Sequence, residues 1–282
     1  MNKGHRWAIS IFLMAILSGA LGAFSDAHFA RRTRYLDEIF SDVSVTKDLV
    51  YGEAALPNGE RLKLRLDLYE PAGDKEIRRP AVVWIHGGGF FQGDKGDLPM
   101  TILAWRFALR GYVTASINYR LERKHMADAN IRQPVLDAMC DARAAVRWLR
   151  RNATSYRIDE NKIAIGGGSA GAFTALHVAY ALGEGDSGNP GYSSRVAAVI
   201  DLWGGLLDIT DMTHGEPPLM VIHGTADRTV AFSFADSLVR RAKDVGVVCE
   251  FHPLEGQGHA AWAQMVQFID WIAPFLFRHM DL

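Results

Sequence analysis

The run Gly167-Gly168-Ser169-Ala170-Gly171 sets one hydroxyl among four small residues. A strand-like stretch, Lys162 to Ile165, leads into it, and a helix-like one, Ala172 to Leu176, leads out. G-x-S-x-G is a weak pattern by itself, because Gly and Ser are common; the strand before and the helix after are what raise it. A sharp strand-to-helix turn strains the serine backbone, which is tolerable only if its neighbours lack bulk. Ser169 would then project from the end of a sheet at a helix N-terminus, whose dipole favours developing negative charge. The competing reading is a phosphate-binding turn. A Walker-type loop needs Gly-Lys-Ser/Thr, absent here, and a dinucleotide loop normally opens near the first strand of its domain.

A second glycine run, His86-Gly87-Gly88-Gly89-Phe90, follows the apolar stretch Ala81 to Ile85. Alone, three glycines are more often a plain flexible loop. Upstream of a serine turn they expose the fixed backbone N–H donors that a tetrahedral oxyanion needs, and losing one such donor typically costs about 10²–10³ in rate. His86 is expected to bond loop backbone rather than to act as a base.

A serine nucleophile needs a base, and the base an orienting carboxylate. After a serine turn of this kind the acid and then the histidine follow along the chain. Of the later histidines, His259 in Gly256-Gln257-Gly258-His259-Ala260 sits at a loop-to-helix boundary after the last strand. His177 lies inside a helix, His223 ends a strand and His279 is near the C-terminus. For the acid, Asp227 closes His223-Gly224-Thr225-Ala226-Asp227 at the carboxyl edge of a strand, where ligands sit in open α/β folds. Asp201 and Asp208 are the alternatives, and Glu255 is expected to face solvent.

These groups need a sheet to hold them. Leu62, Leu64, Leu66 and Leu68 alternate with Lys63, Arg65 and Asp67, the period of a half-buried strand. Continuous apolar runs at 81–85, 112–117, 162–165, 196–202, 218–222 and 247–251 suit strands buried on both faces. Val135, Met139, Ala142, Val146 and Leu149 form one helical stripe behind Pro134, and 232–245 and 260–277 are also expected to be helical. Strands alternating with helices imply parallel βαβ units in one α/β domain, residues 28–282.

The composition is compatible with a large core: 49% of the 282 residues are hydrophobic. With 31 Lys plus Arg against 32 Asp plus Glu, the formal charge of −1 argues against a nucleic-acid partner. Residues 1–27 have the plan of an export signal: Lys3 and Arg6, an apolar run from Trp7 to Leu17, then small residues, with cleavage after Ala23 or Ala27. An uncleaved anchor is the alternative, although Trp7 to Ala23 is at the short limit for a bilayer. After cleavage no stable membrane span is expected. Cys140 and Cys249 are too few for a disulfide framework or a cysteine zinc site and are expected to be free thiols.

Together, HGGGF at 86–90, GGSAG at 167–171, HGTAD at 223–227 and GHA at 258–260 resemble the α/β-hydrolase fold, in the HGGG-containing branch of hormone-sensitive-lipase-like and feruloyl- or acetyl-esterase-like enzymes. The likeness spans residues 43–278. It implies a mostly parallel, doubly wound sheet of about eight strands. It also implies a serine carboxylic-ester hydrolase without metal or cofactor, with Ser169, Asp227 and His259 as triad and Gly88, Gly89 and Ala170 as oxyanion donors. A peptidase or amidase, and a non-catalytic binding module, share the fold. Lid-bearing relatives often carry a helical insertion between the sixth and seventh strands; Gly204 to Pro217 is too short for one. With little or no lid, an open site would take a small-molecule or polysaccharide-linked ester, with Phe90, Trp203 and Trp262 lining it.

Overall fold

Arg79–Ile85 (β3) is buried along its whole length. Ala81, Val83 and Ile85 join one apolar cluster while Val82 and Trp84 join another, so a continuous apolar run is needed to fill both sides. The computed structural model describes residues 33–122 and 130–282, and Thr33–Leu282 form one compact unit. The export-signal segment, residues 1–27, lies outside the described residues.

Val113–Ile117 (β4), Ala198–Leu202 (β6), Leu219–Gly224 (β7) and the inner half of Ile158–Gly168 (β5) are buried in the same two-sided way. With Val43–Ala55 (β1), Arg61–Pro71 (β2) and Cys249–Leu254 (β8) they make one eight-stranded sheet in the order β1-β2-β4-β3-β5-β6-β7-β8. β1 and β2, and β2 and β4, pair antiparallel; every other pair is parallel. Leu98–Ala108 (α1) and Met265–His279 (α6) cover one face. Arg132–Arg151 (α2), Ala170–Tyr180 (α4) and Ser233–Val245 (α5) cover the other. A single turn, Ala153–Tyr156 (α3), follows α2.

Three features depart from expectation. β1 was not foreseen, because its pairing with β2 shifts register after Thr46 and after Val50, which breaks any alternation of side chains. α1 was not foreseen either, although Met100, Leu103, Ala104 and Phe107 form its buried stripe. The continuous helix expected over 260–277 begins only at Met265; a 3-10 turn, Trp262–Gln264, precedes it, and Ala260 holds φ at 59°. That positive φ, outside helical space, keeps His259 on a loop. Between β6 and β7 the chain makes one three-residue 3-10 turn, Ile209–Asp211, and no α-helix. No helix among the described residues is long and apolar enough to cross a membrane.

Candidate active site

Ser169 links β5 to α4 with φ 55° and ψ −121°, a conformation that L-residues occupy only where the surroundings enforce it. Enforcement comes from both sides. Ser169 N donates to the Leu202 carbonyl at the end of β6 (2.9 Å), and its own carbonyl accepts from Ala172 and Phe173 in the first turn of α4. Close packing explains the glycines: a Cβ on Gly167 would lie 2.5 Å from the Ile85 carbonyl oxygen, and one on Gly171 only 2.1 Å from it. Ala170 and Gly171 open α4, so their N–H groups have no acceptor within the helix.

Ser169 Oγ donates to His259 Nε2 (2.9 Å), and His259 Nδ1 donates to Asp227 Oδ2 (2.7 Å). Asp227 Oδ1 accepts from the backbone N–H groups of Thr229 (2.8 Å) and Val230 (3.0 Å). Burial acts to raise the Asp227 carboxyl, but the bonds from His259, Thr229 and Val230 hold it below the usual carboxylate range. An ionised Asp227 keeps the proton on Nδ1, which leaves Nε2 as the acceptor facing the hydroxyl. The other candidates are engaged elsewhere. Asp208 caps the 3-10 turn through Thr210, Glu255 accepts from Thr225, and His177 bonds the Phe173 carbonyl within α4. His279, near the C-terminus, ends α6 3.2 Å from Glu250.

A cleft of about 420 Å³ opens at Ser169 and His259, with Gly87, Gly88, Gly89, Trp203 and Trp262 among its lining residues. Gly88, Gly89 and Phe90 all have positive φ. His86 beneath them bonds the Gly87 carbonyl through Nδ1 (2.7 Å) and stacks on Tyr119. Phe90, expected to line the site, does not: the reversed backbone turns it into the core against Tyr119, where it is 3% exposed. Its neighbour Phe91 is 41% exposed and lines the cleft instead. Trp203 is fully buried, edge-on to Trp262 with centroids 4.6 Å apart. Gln92, Asp97, Pro99, Met100 and Thr229 complete the walls. The apolar stripe of α1 was the signal that could have placed Pro99 and Met100.

Beneath the serine turn, Asp201 is fully buried opposite Gly167. It takes one hydrogen bond, from Gly204 N (2.7 Å), and its Oδ2 has no partner. Burial pushes its carboxyl up to about 7. Such an acid holds its proton more tightly folded than unfolded, so stability is lost as pH rises from the ordinary carboxylate value to about 7. Asp201→Asn keeps the acceptor for Gly204 and removes the charge. It is expected to raise the melting temperature at pH 8 by several degrees, roughly 1–3 kcal/mol, with little effect at pH 4. Melting curves at both pH values check this; an equal shift at the two would contradict it.

A strained serine at a strand-to-helix turn, hydrogen-bonded to a histidine and through it to an aspartate from later βα loops of this sheet, defines a serine hydrolase of the α/β-hydrolase class. The chain belongs to the BD-FAE family, which matches residues 66–216 and so includes Ser169 but ends before Asp227 and His259. Among curated relatives, the probable isoprenylcysteine alpha-carbonyl methylesterase ICMEL1 of Oryza sativa subsp. japonica is 32% identical over 183 residues, 62% of this chain. The chain spans only 38% of that relative's length. Among solved structures, Thermogutta terrifontis esterase 2 phosphorylated by paraoxon superposes with a TM-score of 0.68 at 27% identity, over 88% of this chain and 97% of that one. The butyrate-bound form of the same esterase gives 0.67 at 27% identity, over 87% and 96%.

Proposed function

We propose that the protein is a secreted or periplasmic serine carboxylic-ester hydrolase acting on short-acyl or aryl esters. The observation that carries this reading is the unbroken chain from Ser169 Oγ through His259 to Asp227, at 2.9 and 2.7 Å. Ser169 attacks the ester carbonyl as His259 Nε2 takes its proton, and Asp227 fixes the imidazole tautomer and stabilises the imidazolium. Gly88, Gly89 and Ala170 donate to the oxyanion. His259 then protonates the leaving alkoxide, and a water deprotonated by the same nitrogen releases the acid from the acyl-enzyme. Phe91, Trp203 and Trp262 form the apolar walls.

A nucleophile able to form an acyl-enzyme is supported by the related esterase that paraoxon phosphorylates, and a short acyl group by its butyrate-bound form. Export rests on the plan of residues 1–27, with cleavage after Ala23 or Ala27. The test is labelling of the purified protein by a fluorophosphonate probe, followed by turnover of p-nitrophenyl acetate and butyrate beside the matching anilides. Labelling at Ser169 with ester turnover in clear excess over amide turnover is expected. Labelling with preferred amide cleavage would make the protein an amidase, and failure to label would remove the nucleophile.

A further inference from the structure

His223 ends β7 four residues before Asp227, is completely buried, and takes no part in the steps above. Its Nε2 lies 2.9 Å from the Val230 carbonyl oxygen. The same nitrogen is 3.4 Å from Asp227 Oδ2, the oxygen that receives His259 Nδ1. A carbonyl can only accept, so Nε2 carries the proton; Nδ1 is buried without a partner, the place for the lone pair of a neutral ring. Burial also acts to keep the ring neutral. Phe232 packs edge-on against it, with centroids 5.9 Å apart.

Val230 is held at both ends. Its carbonyl accepts from His223, while its N–H donates to Asp227 Oδ1. The segment from Asp227 to Val230 therefore curls around the carboxylate, and His223 ties that curl to the end of the sheet. Rotation of the carboxylate would break its bonds to Thr229 and Val230, and the tie to His223 resists movement of Val230 itself.

We propose that His223 is a positioning residue of the triad: its Nε2–H fixes the Val230 carbonyl and faces the Asp227 carboxylate, so the aim of the acid at His259 depends on a second histidine. This rests on the triad reading above. His223→Phe keeps a ring in the cavity and deletes the donor; His223→Gln restores an N–H near the Nε2 position. The Phe variant is expected to lose about tenfold in kcat on p-nitrophenyl butyrate, with KM within about twofold. The Gln variant is expected to recover most of that loss.

A second readout needs no turnover. The low-field proton signal of His259 Nδ1, assigned by its disappearance in Asp227→Asn, should broaden or shift in the Phe variant and persist in the Gln variant. An unchanged kcat and an unchanged signal in the Phe variant would overturn the proposal. So would equal losses in both variants accompanied by equal drops in melting temperature, which would mark His223 as packing alone. If the wild-type protein hydrolyses no ester, the functional reading fails, while the proton signal still decides whether His223 positions Asp227.

Discussion

Ser169→Ala should lower kcat on p-nitrophenyl butyrate by roughly 10⁶-fold, the size of loss seen when the nucleophile of a serine triad is removed. In the proposed mechanism the loss is large because the hydroxyl is the group that would form the covalent bond; His259 and the proposed oxyanion donors would remain with nothing to activate. A residual rate above that in water is expected, because the proposed oxyanion donors Gly88, Gly89 and Ala170 would still polarise the carbonyl toward direct attack by water. The fold should be spared. The contacts that seat Ser169 in its turn run through its backbone, to Leu202, Ala172 and Phe173, and Ala keeps them. Paired melting curves and steady-state kinetics check both halves. Turnover within tenfold of wild type would place the nucleophile elsewhere.

Gly171→Ala should lower activity by less, and by a different route. The added methyl would stand 2.1 Å from the Ile85 oxygen and 2.7 Å from the oxygen of His86, both backbone atoms at the end of β3. Neither can swing aside as a side chain could, so α4 must move away from β3. Overpacking of this kind costs about 1–3 kcal/mol in an ordinary core, and more where the obstacle is backbone. Displacing α4 also separates Ser169 from the glycine loop that follows β3. Activity should therefore fall by about 10²-fold or more, even at temperatures where the variant is folded. Gly258→Ala is the matching control: a Cβ there meets nothing within 4 Å, and its melting temperature should stay close to wild type. Equal behaviour of the two variants would refute the packing account.

Much of this architecture was legible because buried parallel strands leave an unmistakable trace. Ala81–Ile85 and Leu219–Ile222 must be apolar at every position, since helices cover both faces of the sheet. Ser169 was legible for a related reason, because the turn that holds it tolerates only small neighbours. Phe90 and Phe91 show where that legibility stops. Inside a loop no period assigns a side, and three successive positive φ values at Gly88, Gly89 and Phe90 decided which ring enters the core. The start of α6 was hidden similarly, because Ala260 is a good helix former whose φ of 59° is imposed by tertiary structure. β1 was masked by its two register shifts. The part proposed for His223 was invisible, since its partner Val230 offers a backbone carbonyl that any residue would supply.

The Ile85 carbonyl that Gly167 and Gly171 pack against also sets an order of events in the life of the chain. At a synthesis rate of about 5–20 residues per second, roughly 4–17 s separate the appearance of Ile85 from that of Gly171. For most of that interval β3 lacks β5, its parallel neighbour. Pairing across so long a stretch of chain is slow relative to local helix formation, because loop closure must precede any gain from contact. The glycine loop after β3 and the serine turn after β5 therefore take shape in one event. A chain released or cleaved before that point is expected to hold no fraction of the proposed activity, and the onset of turnover during refolding should time the closing of the sheet at its centre.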